Sequence, residues 1–372
     1  MILWLASCGL SVARQRLDPP RDASQDDRFP TVRIQAATRV IAPVGDRDLI
    51  RFAGFLFYCH RDTLCPYCDK GSAGCGSTLR TTSHQQRKLS IHAPQDPATM
   101  TTTIPQLNER LPDLFDFART LARQIETDEL RDGEDLLRRI RDFYTEERMQ
   151  RIDAVAPGWR AMAALADGAT RNHITQVLIA LQLLPEYRLA SRDLQAMLEW
   201  TVLYHDLGKQ VIAGQRDSLH AFRSATMAAR TLPTVGFPTG PEYSAALDPW
   251  TRRVLGAAVP SPDGKGPTQD NRVLPEILHG IDRLFGENSA AALIVQAILL
   301  HQSLNVVPEW PNPGSLTDSE IPHCIRPALL PLLEAMMLVD SDAWQLFEPE
   351  SKAKYRRSTL DVFASVRRMV GT

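Results

Sequence analysis

Residues 194–209 have the sequence LQAMLEWTVLYHDLGK, an apolar stretch that ends in a histidine–aspartate pair. The apolar residues predict a mostly buried helix, and Gly208 is expected to end it because glycine favours the position just past a helix terminus. His205 and Asp206 point about 100° apart on a helix, yet both can reach one ion beyond its end. Imidazole and carboxylate groups are ligands for divalent metals. The stretch therefore predicts a metal site at the C-terminal end of a helix.

Other apolar stretches of the chain also carry residues that can bind a metal. His173 opens the stretch HITQVLIALQLL, His220 opens HAFRSATMAARTL, and His301 ends AALIVQAILL. Asp340 and Asp342 follow LLEAMMLV. Helical bundles build metal sites from side chains on facing helices, and few segments alternate as a sheet core would require. We therefore predict an all-α fold whose helices bring these residues together.

The order of these residues resembles the HD-domain superfamily of metal-dependent phosphohydrolases. The resemblance extends to their surroundings, in HDLGK, HAFRSATMAARTL, AILLHQSL and AMMLVDSD, and covers roughly residues 165–348. It implies an HD-type helical bundle with two divalent ions, drawn from Mn, Fe, Co, Ni, Zn and Mg. It also implies hydrolysis of a phosphate mono- or diester, with a small phosphorylated molecule, a nucleotide, as the expected substrate.

The resemblance also implies a role for each residue. Asp206 would bridge the two ions and help to orient the attacking water, and Lys209 would contact the substrate phosphate. His173, His205 and a C-terminal aspartate would complete one metal position. His220 and His301 would complete the other.

Two of these assignments have alternatives. The resemblance favours Asp342 as the C-terminal ligand, but Ala343 and Gln345 depart from the family pattern, which has a basic and an acidic residue there. Asp340 remains an alternative because the apolar face before it would bury it. His279 is an alternative to His220, as in the oxygenase branch of the superfamily, although the helical context of His220 fits better.

Two other classes of function remain open beside the hydrolase. The same six His and Asp ligands would serve an HD-type di-iron oxygenase. The site could also be a non-catalytic ligand-binding scaffold in a signalling module. The intact ligand set argues against the non-catalytic scaffold. Metal content and oxygen dependence distinguish the oxygenase from a hydrolase.

The chain is predicted to have three parts. Residues 1–99 show little periodicity and are expected to be irregular or disordered, residues 100–160 form a helical lead-in, and residues 161–372 form the HD-type domain. Prolines between about 233 and 288 predict a loop-rich insertion over the site, which would act as a lid. Translation that begins at Met100 would explain why the first 99 residues lack a pattern.

The cysteines predict the compartment. Five of the six precede residue 76, and four of them, spaced C-x5-C-x2-C-x6-C from Cys59, form an alternative zinc site. The box Leu5-Ala6-Ser7-Cys8 resembles a lipoprotein signal, but no positive charge precedes it. Only Cys324 lies in the HD-like part, so disulfides cannot stabilise it. A reducing cytoplasm is therefore predicted.

Composition excludes several classes of partner. The chain has 372 residues and a formal net charge of −2, which gives no overall attraction to nucleic acid or to an anionic membrane. No apolar run approaches the length that spans a bilayer. We therefore predict neither a membrane nor a nucleic-acid partner, and the sequence leaves the oligomeric state open.

Overall fold

The computed structural model describes residues 104–211, 215–309 and 311–372. Within them the fold is all-α, as predicted, with one small two-stranded antiparallel sheet. The helices are α1 (Leu107–Arg110), α2 (Pro112–Glu126), α3 (Gly133–Phe143), α4 (Glu146–Val155), α5 (Trp159–Ala163), α6 (Ala169–Leu183), α7 (Pro185–Leu189), α8 (Arg192–Tyr204), α9 (His220–Thr231), α10 (Tyr243–Leu255), α11 (Leu274–Phe285), α12 (Ala290–Leu300), α13 (Ile321–Cys324), α14 (Leu330–Ala343) and α15 (Pro349–Val370). The strands are β1 (Ala258–Pro260) and β2 (Pro267–Gln269). The interpretations of residues 1–99, their cysteines and a start at Met100 lie outside the described residues.

Four helices form the centre of the bundle. Helices α6, α8, α12 and α14 pack on one another, α9 lies against α12, and α15 lies against α14. Residues 291–300 of α12 are all buried, which explains why this stretch carries almost no polar residues. Side-chain caps fix where two of these helices begin: Ser191 accepts from Leu194 N, and Ser289 accepts from Ala292 N. These helices position every predicted ligand.

The helices before residue 165 cover one side of this centre. The pattern between 107 and 125 predicts a helix interrupted at Pro112, and the structure confirms it: α1 ends at Arg110 and α2 begins at Pro112. Proline suits a first helical position because its missing N–H would have no partner there. Helix α2 packs on α6. Trp200 Nε1 donates to Pro105 O at 2.7 Å, which ties the start of the described chain to α8.

The proline-rich segment between about 233 and 288 contains helices α10 and α11 and the β1–β2 hairpin between its turns. Pro275 stands in the first turn of α11, where proline is tolerated, and Pro249 lies inside α10. The hairpin lies against the loop that follows α12, because Gln269 Nε2 donates to Ser303 Oγ at 3.2 Å. The segment therefore reaches the neighbourhood of His301. Its action as a lid remains a prediction.

Of the helices in the described parts of the chain, none combines the length and the apolar character that crossing a bilayer requires.

Candidate metal centre

Five helices bring the predicted ligands to one place. His173 lies in α6, His205 and Asp206 directly follow α8, His220 is the first residue of α9, and His301 directly follows α12. The C-terminal aspartate comes from the last turn of α14. A helix end is a favourable place for a ligand because the side chain there can reach past its own helix into the space between neighbours. The pair at 205–206 lies at a helix C-terminus, as predicted.

The side chains form two groups that each have metal-ligand chemistry. In one group, Nε2 of His173 lies 2.9 Å and Nε2 of His205 lies 3.8 Å from Oδ1 of Asp340. The other group consists of Asp206, His220 and His301. Within each group the potential ligand atoms lie within 4.8 Å of one another. These buried groups could hold metal ions.

The Asp206 carboxylate lies between the two groups. Its Oδ1 is 2.9 Å from His220 Nε2 and 3.8 Å from His301 Nε2. Its Oδ2 faces the other group and is 3.9 Å from Nε2 of both His173 and His205. Each oxygen of one carboxylate is therefore directed at a different pair of imidazoles. This is the arrangement that a bridging ligand requires.

Three of the histidines are held in the same way. Nδ1 of His205, of His220 and of His301 each donates to the backbone carbonyl three residues earlier, at 2.8, 2.6 and 2.7 Å. A hydrogen bond of this kind places the proton on Nδ1 and leaves a lone pair on Nε2. It also orients the ring, as second-shell partners do at known metal sites. In all three residues it is Nε2 that faces Asp206.

The arrangement fits a cation and is unfavourable without one. Nε2 of His205 and of His220 is buried and has no hydrogen-bond partner within the described part of the chain. Lone pairs that face a carboxylate repel it, and a buried polar atom without a partner costs about 1–3 kcal/mol. Imidazole and carboxylate together suit the divalent transition metals. A metal ion would satisfy the nitrogen and oxygen atoms at once.

Burial and charge set the protonation states around the site. Burial lowers the pKa of His301 to about 3, with the neighbouring imidazoles acting in the same direction, and burial also lowers the pKa of His205. Both rings are therefore neutral, as metal ligands must be. Burial alone would raise the pKa of Asp206 and of Asp340. The ammonium group of Lys209 beside Asp206, and the hydrogen bond between Asp340 and His173, more than offset it and hold both pKa values below the usual range.

Lys209 lies at the edge of the site. Its Nζ is 2.9 Å from Asp206 Oδ2, and its side chain is 35% exposed. The Asp340 side chain is 27% exposed, whereas those of His205, Asp206, His220 and His301 are each 3% exposed or less. The site therefore opens to solvent on the side of Lys209 and Asp340.

The preference for Asp342 as a ligand does not agree with the structure. Asp342 is 1% exposed and lies away from the histidines, where Arg356 Nε donates to both of its oxygens at 2.8 and 3.1 Å. Lys352 Nζ lies 3.6 Å from the same carboxylate. Two residues along a helix rotate a side chain by about 200°, so Asp340 faces the histidines while Asp342 faces α15. The structure brings Asp340, the alternative, into the site.

The positions of His220 and His279 also show which of these two histidines lies at the site. His279 is exposed on α11, whereas His220 is buried beside Asp206. The structure therefore brings His220 to the site and leaves His279 outside it. His323 is exposed as well. His60, His84 and His92 lie outside the described residues.

The structure requires a glycine at position 208, but not for the expected reason of ending a helix. Helix α8 ends at Tyr204, before Gly208 is reached, and the φ of Gly208 is not positive. Gly208 therefore does not end the helix in a left-handed conformation. A glycine is required here because the backbone lies very close to α9. Gly208 N donates to Ser224 Oγ at 2.9 Å, and a Cβ at this position would lie 2.6 Å from Ser224 N. Arg223 Nε donates to Gly208 O at 2.7 Å. The turn after Asp206 is thus fastened directly to the helix that carries His220.

Replacing Gly208 with alanine should therefore destabilise the metal-free protein. The added methyl meets backbone that cannot easily move, so we expect Gly208→Ala to cost about 1–3 kcal/mol in urea unfolding. Gly133→Ala is the matched control, because nothing lies within 4 Å of a Cβ at that position in α3. The control should be neutral or slightly stabilising. Equal stability of Gly208→Ala and the wild type would contradict the close packing.

One residue of the site is missing from the sequence-based prediction. The indole of Trp344 stacks on the imidazole of His173, with ring centroids 4.4 Å apart and an interplanar angle of 17°. Trp344 follows Asp340 by four residues, one helical turn. That spacing was the available signal, but it carries meaning only once Asp340 is known to be the aspartate at the site.

Comparison of the chain with protein-family models, with curated proteins and with solved structures finds no match.

Proposed function

We propose that this protein is an HD-type metal-dependent phosphohydrolase with two divalent ions in one centre. The observation that carries the proposal is the position of Asp206, whose two oxygens face two separate pairs of histidines. His173, His205 and Asp340 would hold one ion, and His220 and His301 would hold the other. Asp206 would contact both ions. The resemblance in the order and surroundings of these residues supports the same assignment.

The ammonium group of Lys209 at the opening supports an anionic substrate. When bound, divalent ions would supply a Lewis acid for a phosphoryl oxygen and a lowered pKa for water. Lys209 would hold the phosphate at the open side, because its ammonium group lies beside Asp206 and is partly exposed. The buried rings of His205 and His301 would close the other side and exclude solvent. A phosphate mono- or diester fits this arrangement, and a nucleotide is the substrate class that the family resemblance adds.

The same side chains support one second candidate, an HD-type di-iron oxygenase. The observation in its favour is the donor set itself, four imidazoles and two carboxylates, which suits iron as well as it suits a hydrolytic metal. Lys209 at the open side would serve an anionic substrate in either class. The hydrolase is preferred because its chemistry requires only metal ions, water and a phosphate ester. A signalling role without catalysis has no observation in its favour among the described residues.

A nucleotide panel tests the proposal. The purified protein would be loaded separately with Mn²⁺, Co²⁺, Ni²⁺ or Mg²⁺ and assayed for phosphate release from mono- and diesters, with and without oxygen. Hydrolysis that is independent of oxygen is the expected result. No hydrolysis with any metal, together with oxygen consumption by the iron-loaded protein, would favour the oxygenase.

The number of ions provides a separate prediction. Because His220 and His301 would hold only one of the two ions, His220→Ala or His301→Ala should lower metal content from two ions per chain towards one. His279→Ala, which changes an exposed histidine, is the matched control and should retain two. Metal content would be measured by elemental analysis after gel filtration. Unchanged content in both variants would mean a mononuclear site, with His220 and His301 in another role.

A further inference from the structure

His173 is held differently from the other three histidines of the site. His205, His220 and His301 each donate Nδ1–H to a backbone carbonyl. The Nδ1 of His173 is buried and has no hydrogen-bond partner in the described parts of the chain. Its Nε2 nevertheless lies 2.9 Å from Asp340 Oδ1, well placed for a shared ion. Something other than a hydrogen bond to Nδ1 must fix the plane of this ring.

The end of α14 supplies a candidate. Trp344 directly follows the last residue of α14 and stacks nearly parallel on the imidazole of His173, at 4.4 Å and 17°. Asp340 lies one turn earlier on the same helix. The same helix end therefore presents a carboxylate to Nε2 and an indole to the face of the ring. Rotation of the imidazole would swing Nε2 away from Asp340 and break the stacked contact at the same time.

We propose that Trp344 is a positioning residue that fixes the ring of His173 for metal binding, in place of the carbonyl hydrogen bond that fixes the other three histidines. Stacked aromatic pairs are favourable beyond the area they bury. Groups that orient a ligand typically affect metal affinity by about 10- to 100-fold. The inference rests on the metal centre of the proposed function and is independent of whether the protein hydrolyses a phosphate ester.

Cobalt binding tests the inference without any assay of activity. Metal-free wild type, Trp344→Leu and Trp344→Phe would be titrated with Co²⁺, with binding followed by visible absorption and equilibrium dialysis. We expect Trp344→Leu to weaken one of the two Co²⁺ sites about 10-fold or more and to leave the other unchanged. Trp344→Phe keeps a stacked ring and should stay within about threefold of the wild type.

Two further variants assign the weakened site. Asp340→Asn should weaken the same site as Trp344→Leu, and His220→Ala should weaken the other. In the Asp340→Asn background, Trp344→Leu should add little, because both changes act on the ion that His173 would bind. Full additivity of the two changes would place the effect of Trp344 elsewhere and overturn the inference.

The wild type offers a measurement that does not depend on how the variants fold. In the Zn²⁺-loaded protein, the NMR chemical shifts of the imidazole N–H protons report whether each proton has an acceptor. Three should lie downfield, because carbonyls accept them, and that of His173 should lie upfield of those three. Four signals at similar downfield shifts would mean that His173 has a hydrogen-bond partner of its own, which contradicts the inference.

The remaining outcomes separate this inference from the proposed centre. Unchanged affinity for both Co²⁺ ions in folded Trp344→Leu would overturn the role of Trp344 and leave the centre intact. A wild type that binds no Co²⁺ would overturn the centre, and the inference with it.

Discussion

Replacing Asp206 with alanine should remove both metal ions and abolish hydrolysis while the helical fold remains. This carboxylate is the only one whose two oxygens face both pairs of histidines within the described residues. Without it, each position loses a charged ligand, and the repulsion between the two ions has no anion to offset it. We expect the rate of phosphate release to fall about 10³-fold or more, which corresponds to about 4 kcal/mol of transition-state stabilisation.

Circular dichroism, elemental analysis and phosphate release would be measured on the same preparation of Asp206→Ala. Asp282→Asn is a matched control, because Asp282 is a largely buried aspartate that pairs with Arg326 and Gln296 and lies outside the site. The control should keep two ions and full activity. If Asp206→Ala still bound two ions, the bridging role would be wrong.

Substitutions of the two aspartates of α14 should have different effects, one mainly on metal content and the other mainly on the free energy of unfolding. Asp340→Asn removes the carboxylate 2.9 Å from His173 Nε2, so we expect metal content to fall towards one ion and hydrolysis to be lost. The metal-free variant should lose only about 1 kcal/mol of stability, because an asparagine can still accept a hydrogen bond from His173 and the carboxylate forms no ion pair with Lys or Arg among the described residues.

Asp342→Asn should behave in the opposite way. Asp342 is 1% exposed, and its loss of charge leaves Arg356 and Lys352 without a carboxylate partner. Loss of one member of a buried pair costs about 3–5 kcal/mol. The partial exposure of Arg356 and Lys352 reduces this cost, and so does burial, which raises the pKa of Asp342 in spite of both partners, so the expected cost is about 2 kcal/mol. Urea unfolding would show this loss, while metal content stays at two. Metal loss in Asp342→Asn with full content in Asp340→Asn would reverse the assignment.

The placement of the histidines could be predicted from the sequence because each lies at a helix start or end, or within one apolar helical stretch. His173, His205, His220 and His301 all reach the site that their order predicts. The apolar stretches predicted the helices, whereas the grouping of the histidines came from the resemblance in their order, because one histidine at the end of an apolar helix does not identify a ligand. The break at Pro112 and the cap at Ser191 were predictable from the local sequence alone.

The local sequence does not show which of the two aspartates of α14 faces the histidines. Asp340 and Asp342 have the same chemistry and similar neighbours, and the choice depends on Arg356 in α15, which packs against α14. The expected Asp342 finds a basic partner there instead of the histidines. The role of Trp344 depends on the same packing, because its indole meets His173 only when Asp340 faces the site.

The segment between about 233 and 288 contains helices that its amino-acid composition did not predict. Its prolines predict turns, and the turns are present, but helices α10 and α11 also lie there. Pro275 stands where a helix tolerates proline. A count of prolines therefore says little about helix content when their positions within each helix are unknown.

Elemental analysis of the wild-type protein measures how many ions the proposed centre holds. This centre consists of two groups of side chains, one with His173, His205 and Asp340 and the other with Asp206, His220 and His301. The protein would be purified without chelator, then stripped and reloaded with Mn²⁺, Co²⁺, Ni²⁺, Fe²⁺ or Zn²⁺ before gel filtration. We predict two ions per chain with at least one of these metals, and higher thermal stability of the loaded form. A correctly folded protein that retains none of these ions would rule out the metal centre.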